Sequence, residues 1–185
     1  DSYTHTILAV EGNSFTDQDV FNSGTTRQGK WNCDNGNLTA LDLPGGASAS
    51  VSTQGSGTTD FQTTNSSGIT LPAIINPGDV WLQSLTLEGT QAANGVSYQV
   101  SNNFNNDCKA VGVESVTVQA GIFDAMRVDC NTTMKISLTL GDTPMENTFN
   151  LTGTSWYAQG VGMVKSATSG MGLDSTIELV SYNIP

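Results

Sequence analysis

The sequence predicts an all-β fold: a single antiparallel meander, sandwich or half-barrel with little or no helix. Three observations carry this reading. From Met126 to Leu140 every even position except Thr132 is apolar and every odd position is polar. A period of two marks an extended strand with one buried and one wet face, and at about 3.3 Å per residue the run spans roughly 50 Å. Turn signals then recur along the chain, among them Ser67-Gly68, Pro77-Gly78-Asp79, Asn94-Gly95 and Ala120-Gly121. The surface is also built from Ser, Thr, Asn and Gly, residues that compete with helical hydrogen bonding.

The elements follow in order. Asp1 to Val10 sets Tyr3, Ile7 and Ala9 against Thr4, Thr6 and Leu8, a strand-like pattern at the chain end. Gly36 to Leu43 and Ala47 to Gln54 read as strands, and the Ser/Thr/Gly-rich stretch Ala47 to Ser67 as a solvated hairpin. Val80 to Leu87, Val96 to Ser101 and Val111 to Val118 follow, with Asn102 to Asp107 between the last two read as an Asx-rich turn. Thr148 to Tyr157, Met163 to Ala167 and Thr176 to Ile184 complete the set. No repeat and no composition shift marks a second domain. Residues 1–185 are therefore expected to form one β domain, with 1–12 a candidate strand-donating arm.

Charged residues make up 12% of the chain, and 6 Lys+Arg against 17 Asp+Glu give a net charge of −11. Nucleic acid and anionic membrane surfaces require a cationic patch, so both are poor partners and no nucleic acid is expected. No apolar run approaches the roughly 18 residues of a membrane helix, and no membrane insertion is expected. The chain begins at Asp1 without a signal peptide and reads as a mature, processed, extracellular or cell-surface chain. Sequons at Asn37, Asn65, Asn131 and Asn150 are candidate glycosylation sites.

The cysteines are Cys33, Cys108 and Cys130. Residues paired across a hairpin turning near Ala120-Gly121 keep a constant index sum, and Cys108 and Cys130 fall almost opposite one another on that geometry. A disulfide between them is expected, with Cys33 unpaired. The competing pairings are Cys33–Cys108 and Cys33–Cys130. Such a bond belongs to an oxidising compartment. No Cys/His spacing suggests zinc.

Two stretches carry a family resemblance. Val116-Thr-Val-Gln-Ala-Gly-Ile-Phe-Asp-Ala-Met-Arg-Val128 resembles V-T-V-P-A-G-T-F-D-A-x-R-V, with Gln119 at the usual proline. Trp156-Tyr-Ala-Gln-Gly-Val-Gly-Met-Val-Lys165 resembles W-Y-A-x-G-V-G-x-V-K. Together they resemble predicted secreted lipoproteins and surface proteins of bacteria, a family of domains of unknown function. Their meander is similar to LolA-like and LolB-like half-barrels. The resemblance covers about residues 96 to 185 and extends weakly to Trp31-Asn-Cys33, Gly36 and Leu38. It implies a strand, a tight turn, a second strand and a later glycine-rich bend, and it supplies no catalytic residues.

Little else points to chemistry. His5, the only histidine, lies in a polar terminal segment and reads as a surface residue. No G-x-S-x-G elbow is present. Glu11, Glu88, Glu114, Glu146 and Glu178 are scattered over solvent-facing positions and read as solubilising charge. Asp17, Asp19 and Asn22 place oxygen ligands in what reads as an oxygen-rich loop, a weak Ca²⁺ candidate that lacks the terminal bidentate Glu; no cofactor is expected otherwise. Trp156 and Tyr157 are neighbours, so one points inward, and the outward one is the candidate ligand contact.

The function expected is a non-enzymatic extracellular structural or adhesive protein. It would self-assemble as a homo-oligomer or filament by β-strand exchange through Ile7, Leu8 and Val10. The alternatives are a carrier or binding module for a lipid, hydrophobic ligand or glycan on a concave sheet face, and a glycosidase.

Overall fold

The alternating pattern becomes eleven β-strands in the computed structural model, which describes residues 2–24, 26–42, 59–93, 96–140, 143–170 and 172–184. They are β1 (Tyr3–Glu11), β2 (Ser14–Phe21), β3 (Thr26–Asp34), β4 (Asn37–Asp42), β5 (Thr59–Gly68), β6 (Val80–Ala93), β7 (Val96–Val118), β8 (Gly121–Leu140), β9 (Thr143–Ala158), β10 (Gly162–Gly170) and β11 (Leu173–Glu178). No helix occurs among the described residues. One sheet has the order β1-β2-β3-β4 and the other β11-β10-β9-β8-β7-β6-β5. Neighbours in sequence are therefore neighbours in space, the arrangement that short hairpin connections produce. The expected strand Ala47 to Gln54 lies outside the described residues.

The chain divides into two compact units. The first comprises Asp1–Ala73, Ser84–Asn103 and Ile136–Asn147; the second comprises Ile74–Gln83, Phe104–Lys135 and Thr148–Pro185. Ala40, Leu85, Leu87, Val100 and Ile136 are the buried apolar residues of the first. In it Asn35 (φ 50°) and Gly36 (φ 84°) close the β3–β4 hairpin as a two-residue turn, the left-handed geometry that Asn-Gly favours. A Cβ at Gly36 would stand 2.8 Å from that of Ala73, so packing as well as φ requires glycine there. In the second unit Val116, Val118, Ala125, Ala158 and Val164 form one cluster, with Trp156, Phe123 and Leu179 packed against it.

The Met126-to-Leu140 run is a single strand in the expected register. Val128, Met134 and Ile136 are buried, Leu138 is partly so, and Lys135 and Thr139 are exposed. Arg127, expected to be exposed, is only 38% so, because it lies along Asp129. Thr132, the one break in the pattern, donates its hydroxyl proton to Asn106 Oδ1 at 2.7 Å. The hydroxyl is satisfied across the strand, which is why a polar residue is tolerated on this face.

Three expectations on elements are corrected. Val96 to Ser101 and Val111 to Val118 are not separate strands around a turn at Asn102 to Asp107. They belong to one continuous 23-residue strand, β7. Asn103 Nδ2 donates to Thr86 Oγ1 at 3.0 Å and Asn106 Nδ2 to Gln83 Oε1 at 3.3 Å, across to β6. Asn102 is buried. Asp17 and Asp19 lie in strand β2, not in a loop. The last strand stops at Glu178 rather than running to Ile184; just beyond it Leu179 donates to Val164 O and accepts from Ala120 N–H.

The expected disulfide is present. Cys108 on β7 and Cys130 on β8 are joined at 2.05 Å with Cα atoms 4.1 Å apart, and Cys33 is a free, partly buried thiol.

Candidate functional site

The second unit carries an open face assembled by β9, β10 and β11. Gly160 (φ 76°) and Gly162 (φ 101°) supply the backbone that the β9–β10 connection needs. The register slips between Met163 and Lys165, so that Trp156 faces Lys165 instead of falling out of step. From there the pairing sets three rows on one side of the sheet: Trp156–Lys165–Glu178, Thr154–Ala167–Thr176 and Thr152–Ser169–Asp174. A shallow groove of about 430 Å³ lies over this part of the sheet, lined by those six residues together with Gly153, Thr168 and Ser175 of the row between them. Ala167, the smallest side chain of the six, sits in the middle.

Hydrogen bonds and ion pairs hold the rim. Lys165 Nζ donates to Glu178 Oε1 at 2.7 Å and lies 5.9 Å from the centre of the Trp156 ring. Trp156 Nε1–H donates to Glu114 Oε1 at 3.0 Å. Arg127 grips Asp129 through Nε and Nη2 at 2.9 and 3.0 Å, and Thr154 Oγ1 donates to the same carboxylate at 2.8 Å. Ser169 Oγ donates to Asp174 Oδ1 at 2.7 Å.

Partial burial would raise the Asp129 carboxyl, but the hydrogen bonds from Arg127 and Thr154 and the Arg127 charge outweigh it and hold it below the ordinary carboxylate range. The hydrogen bond to Asp129 in turn raises Arg127. A carboxyl whose folded pKa is depressed stabilises the fold above its unfolded value of about 4, and that contribution is lost as pH falls through the folded value. Asp129→Asn should therefore lower the urea midpoint modestly at pH 7. The gap from wild type should close on acidification below the ordinary carboxylate range. A gap that is constant with pH would show that the ionised Asp129–Arg127 pair contributes nothing.

Trp156 and Tyr157 stand on opposite sides of their strand, both partly buried, and Trp156 packs against the core cluster of the second unit. Tyr157 points to the opposite side, where burial raises its phenol despite an opposing hydrogen bond with Ser155. Of the sequons, Asn65, Asn131 and Asn150 are exposed; Asn37 Oδ1 accepts the Ala73 N–H and Asn150 Oδ1 accepts from Thr133.

In the first unit, β1 pairs with β2 of its own chain, Tyr3 opposite Phe21 and Ile7 opposite Asp17. It is an edge strand, and Ile7, Leu8 and Val10 are exposed at 49%, 48% and 72%. His5 is not an isolated surface residue. Its Nδ1 lies 2.8 Å from Asp19 Oδ1 and its Nε2 3.8 Å from Asp17 Oδ2. Asp17 Oδ2 also accepts the Trp31 Nε1–H at 2.8 Å. Asn22 sits apart in the turn, its backbone N–H on Ser2 O. Asp17 and Asp19 both reach His5, and no group of three His, Cys, Asp or Glu suited to a metal occurs among the described residues.

Sequence reasoning did not find the Glu114–Arg127–Asp129–Thr154 network. Period two places each residue on the wet face of its own strand, but only the register between strands brings them together.

Fold and site together define an all-β protein of two antiparallel meanders with a polar, tryptophan-bearing sheet face. The chain belongs to the DUF3108-like family of unknown function, whose sequence model matches residues 16–182, well beyond the C-terminal half that carries the two motifs. Neither a curated protein nor a solved structure matches it.

Proposed function

We propose that this is a non-enzymatic, extracellular structural or adhesive protein that assembles with copies of itself through β1. The observation that supports this reading is the open edge of β1. Its nine residues, Tyr3–Glu11, contain no Lys, Arg or Pro, residues by which edge strands are often blunted; the one irregularity on it is the register shift between Ile7 and Ala9. Three large apolar side chains stand exposed on it. A second chain adding its own edge, or exchanging β1, gains ladder hydrogen bonds and covers these side chains; full burial is worth about 1.5–3 kcal/mol for each large one. Edge-to-edge contacts between unlike edges do not close on themselves and build filaments. The Cys108–Cys130 disulfide favours an oxidising compartment outside the cell.

Sedimentation and negative-stain microscopy should show concentration-dependent oligomers or filaments of uniform width. Leu8→Lys should leave the melting temperature within a few degrees of wild type and abolish assembly. A wild-type chain that stays monomeric at every concentration would sink this reading.

A carrier for a hydrophobic ligand, in the manner of the LolA-like and LolB-like half-barrels, is the second reading. It is favoured by Val80, Leu82, Val111 and Val113, which are exposed on β6 and β7. They stand on the side away from Trp81, Cys108 and Ala110. Lipid retained by the natively purified protein in mass spectrometry would decide for it.

A further inference from the structure

We propose that the edge receiving β1 is β11 of a second copy, so that chains join head to tail through a β1–β11 pair. This rests on the assembly reading above and supplies its other half, the surface that β1 binds.

The two sheets have four ends, β1 and β4 in one and β5 and β11 in the other. Two of these are engaged with each other. Leu38 of β4 donates its N–H to Leu71 O, and its carbonyl accepts from the Thr70 and Leu71 N–H groups. Ala40 N–H donates to Thr70 Oγ1, Ser66 Oγ donates to Ala40 O, and Thr39 Oγ1 donates to Gly68 O. Thus β4 lies against the last residues of β5 and those just after it. Among the described residues, β1 and β11 are the ends with no further strand beside them. An unpaired edge is a template for another strand unless it is blunted, and β11, Leu173–Glu178, contains no Lys, Arg or Pro.

Charge selects unlike edges over like ones. Asp174 and Glu178 stand on β11. Two copies of it side by side would set carboxylate against carboxylate in a chain of net charge −11, and like charges on neighbouring strands oppose pairing. Residues 3–7 of β1 are Tyr, Thr, His, Thr and Ile, with no carboxylate among them. The carboxylates of β11 are also bonded back to β10, Glu178 to Lys165 Nζ and Asp174 to Ser169 Oγ, each at 2.7 Å, which draws both away from an incoming strand.

Register agrees with charge. Residues 3–7 match β2 one to one, and the shift falls after them, between Ile7 and Ala9. Along its whole length β11 matches β10 one to one. Bulges bend and twist a strand, so these two unbroken runs are the parts of each edge regular enough to pair. Ile7 and Ile177 are both exposed, and pairing covers apolar surface on each side. The competing arrangement joins β1 to β1. It closes as a two-fold dimer and leaves an unblunted β11 open on each chain, whereas β1–β11 pairing covers both edges of every chain within the row.

The test is complementation between blocked chains. Leu8→Lys blocks β1 and leaves β11 intact. Ile177→Lys, at an exposed position outside the core cluster, blocks β11 and leaves β1 intact, and Ser175→Lys, also at an exposed position, is a second β11 variant. All should melt close to wild type, and each alone should sediment as a monomer. Leu8→Lys mixed with either β11 variant should give a one-to-one dimer that grows no further. In that dimer amide exchange should slow by about tenfold or more at residues 173–178 of the Leu8→Lys chain and at residues 3–7 of the chain bound to it. The proposal is overturned if the folded β11 variants assemble as well as wild type does, since β1 then binds another edge. It is equally overturned if wild type assembles but the mixture stays monomeric, or if the protection maps elsewhere. A wild-type chain that is monomeric at every concentration removes the assembly reading itself, and this proposal with it.

Discussion

Removing the disulfide should lower the melting temperature by about 6–12 °C. The bond joins strands β7 and β8 across a sequence separation of 22 residues. In the chain-entropy account, closing a loop of that size removes about 3 kcal/mol worth of freedom from the unfolded chain. For a domain of 150–250 residues each kcal/mol moves the midpoint by about 2–4 °C. The folded state should change little, because Cys108 and Cys130 already face each other with Cα atoms 4.1 Å apart on paired strands. Cys108→Ala/Cys130→Ala and reduced wild type should therefore keep the native circular dichroism spectrum while melting earlier. Cys33→Ala, which touches only the free thiol, should leave the sensitivity to reductant intact. Peptide mapping without reductant that recovers Cys33 joined to either partner would refute the pairing.

Two adjacent substitutions in β8 should have opposite outcomes. Met134 is 1% exposed, and Met134→Asp places an unpaired carboxylate among apolar side chains. The lost packing alone costs about 2–5 kcal/mol, and the buried charge adds to it. That is a large share of the 5–15 kcal/mol by which domains are ordinarily stable, so this variant should be largely unfolded or insoluble. Lys135, the next residue, is exposed, and Lys135→Asp should shift the urea midpoint by no more than a surface ion pair is worth, under about 1 kcal/mol. If both variants fold equally well, or Lys135→Asp is the damaging one, the register is wrong by one residue, since a single slip exchanges every buried and exposed position of a strand.

The legible parts of the molecule were those written in local pattern. The fifteen residues from Met126 to Leu140 announced their strand, its faces and its register, because alternation is a property of consecutive residues. The Ala120-Gly121 turn then placed Cys108 opposite Cys130. Asn102 to Asp107 was misread for the complementary reason. Asn and Asp make turns when their side chains bond to nearby backbone, and nothing local says that Asn103 and Asn106 will instead find Thr86 and Gln83 on another strand. His5 was passed over similarly: its partners Asp17 and Asp19 are a hairpin away.

The sequence by itself determined that this protein is all-β and which side chains of the Met126–Leu140 run face the core, and it favoured the Cys108–Cys130 pairing. It also placed Trp156 and Tyr157 on opposite sides of their strand. These follow from periodicity and turn chemistry, both encoded within a few residues of one another. Only the tertiary structure decided that the strands form two sheets, that β7 runs unbroken for 23 residues, and that Trp156, Lys165, Glu178, Thr154 and Asp129 share one face. That outcome depends on register between strands, and the slip between Met163 and Lys165 resets which residues of β10 stand beside which of β9. A bulge of one residue costs little locally and is nearly silent in composition, yet it selects every neighbour on the face beyond it.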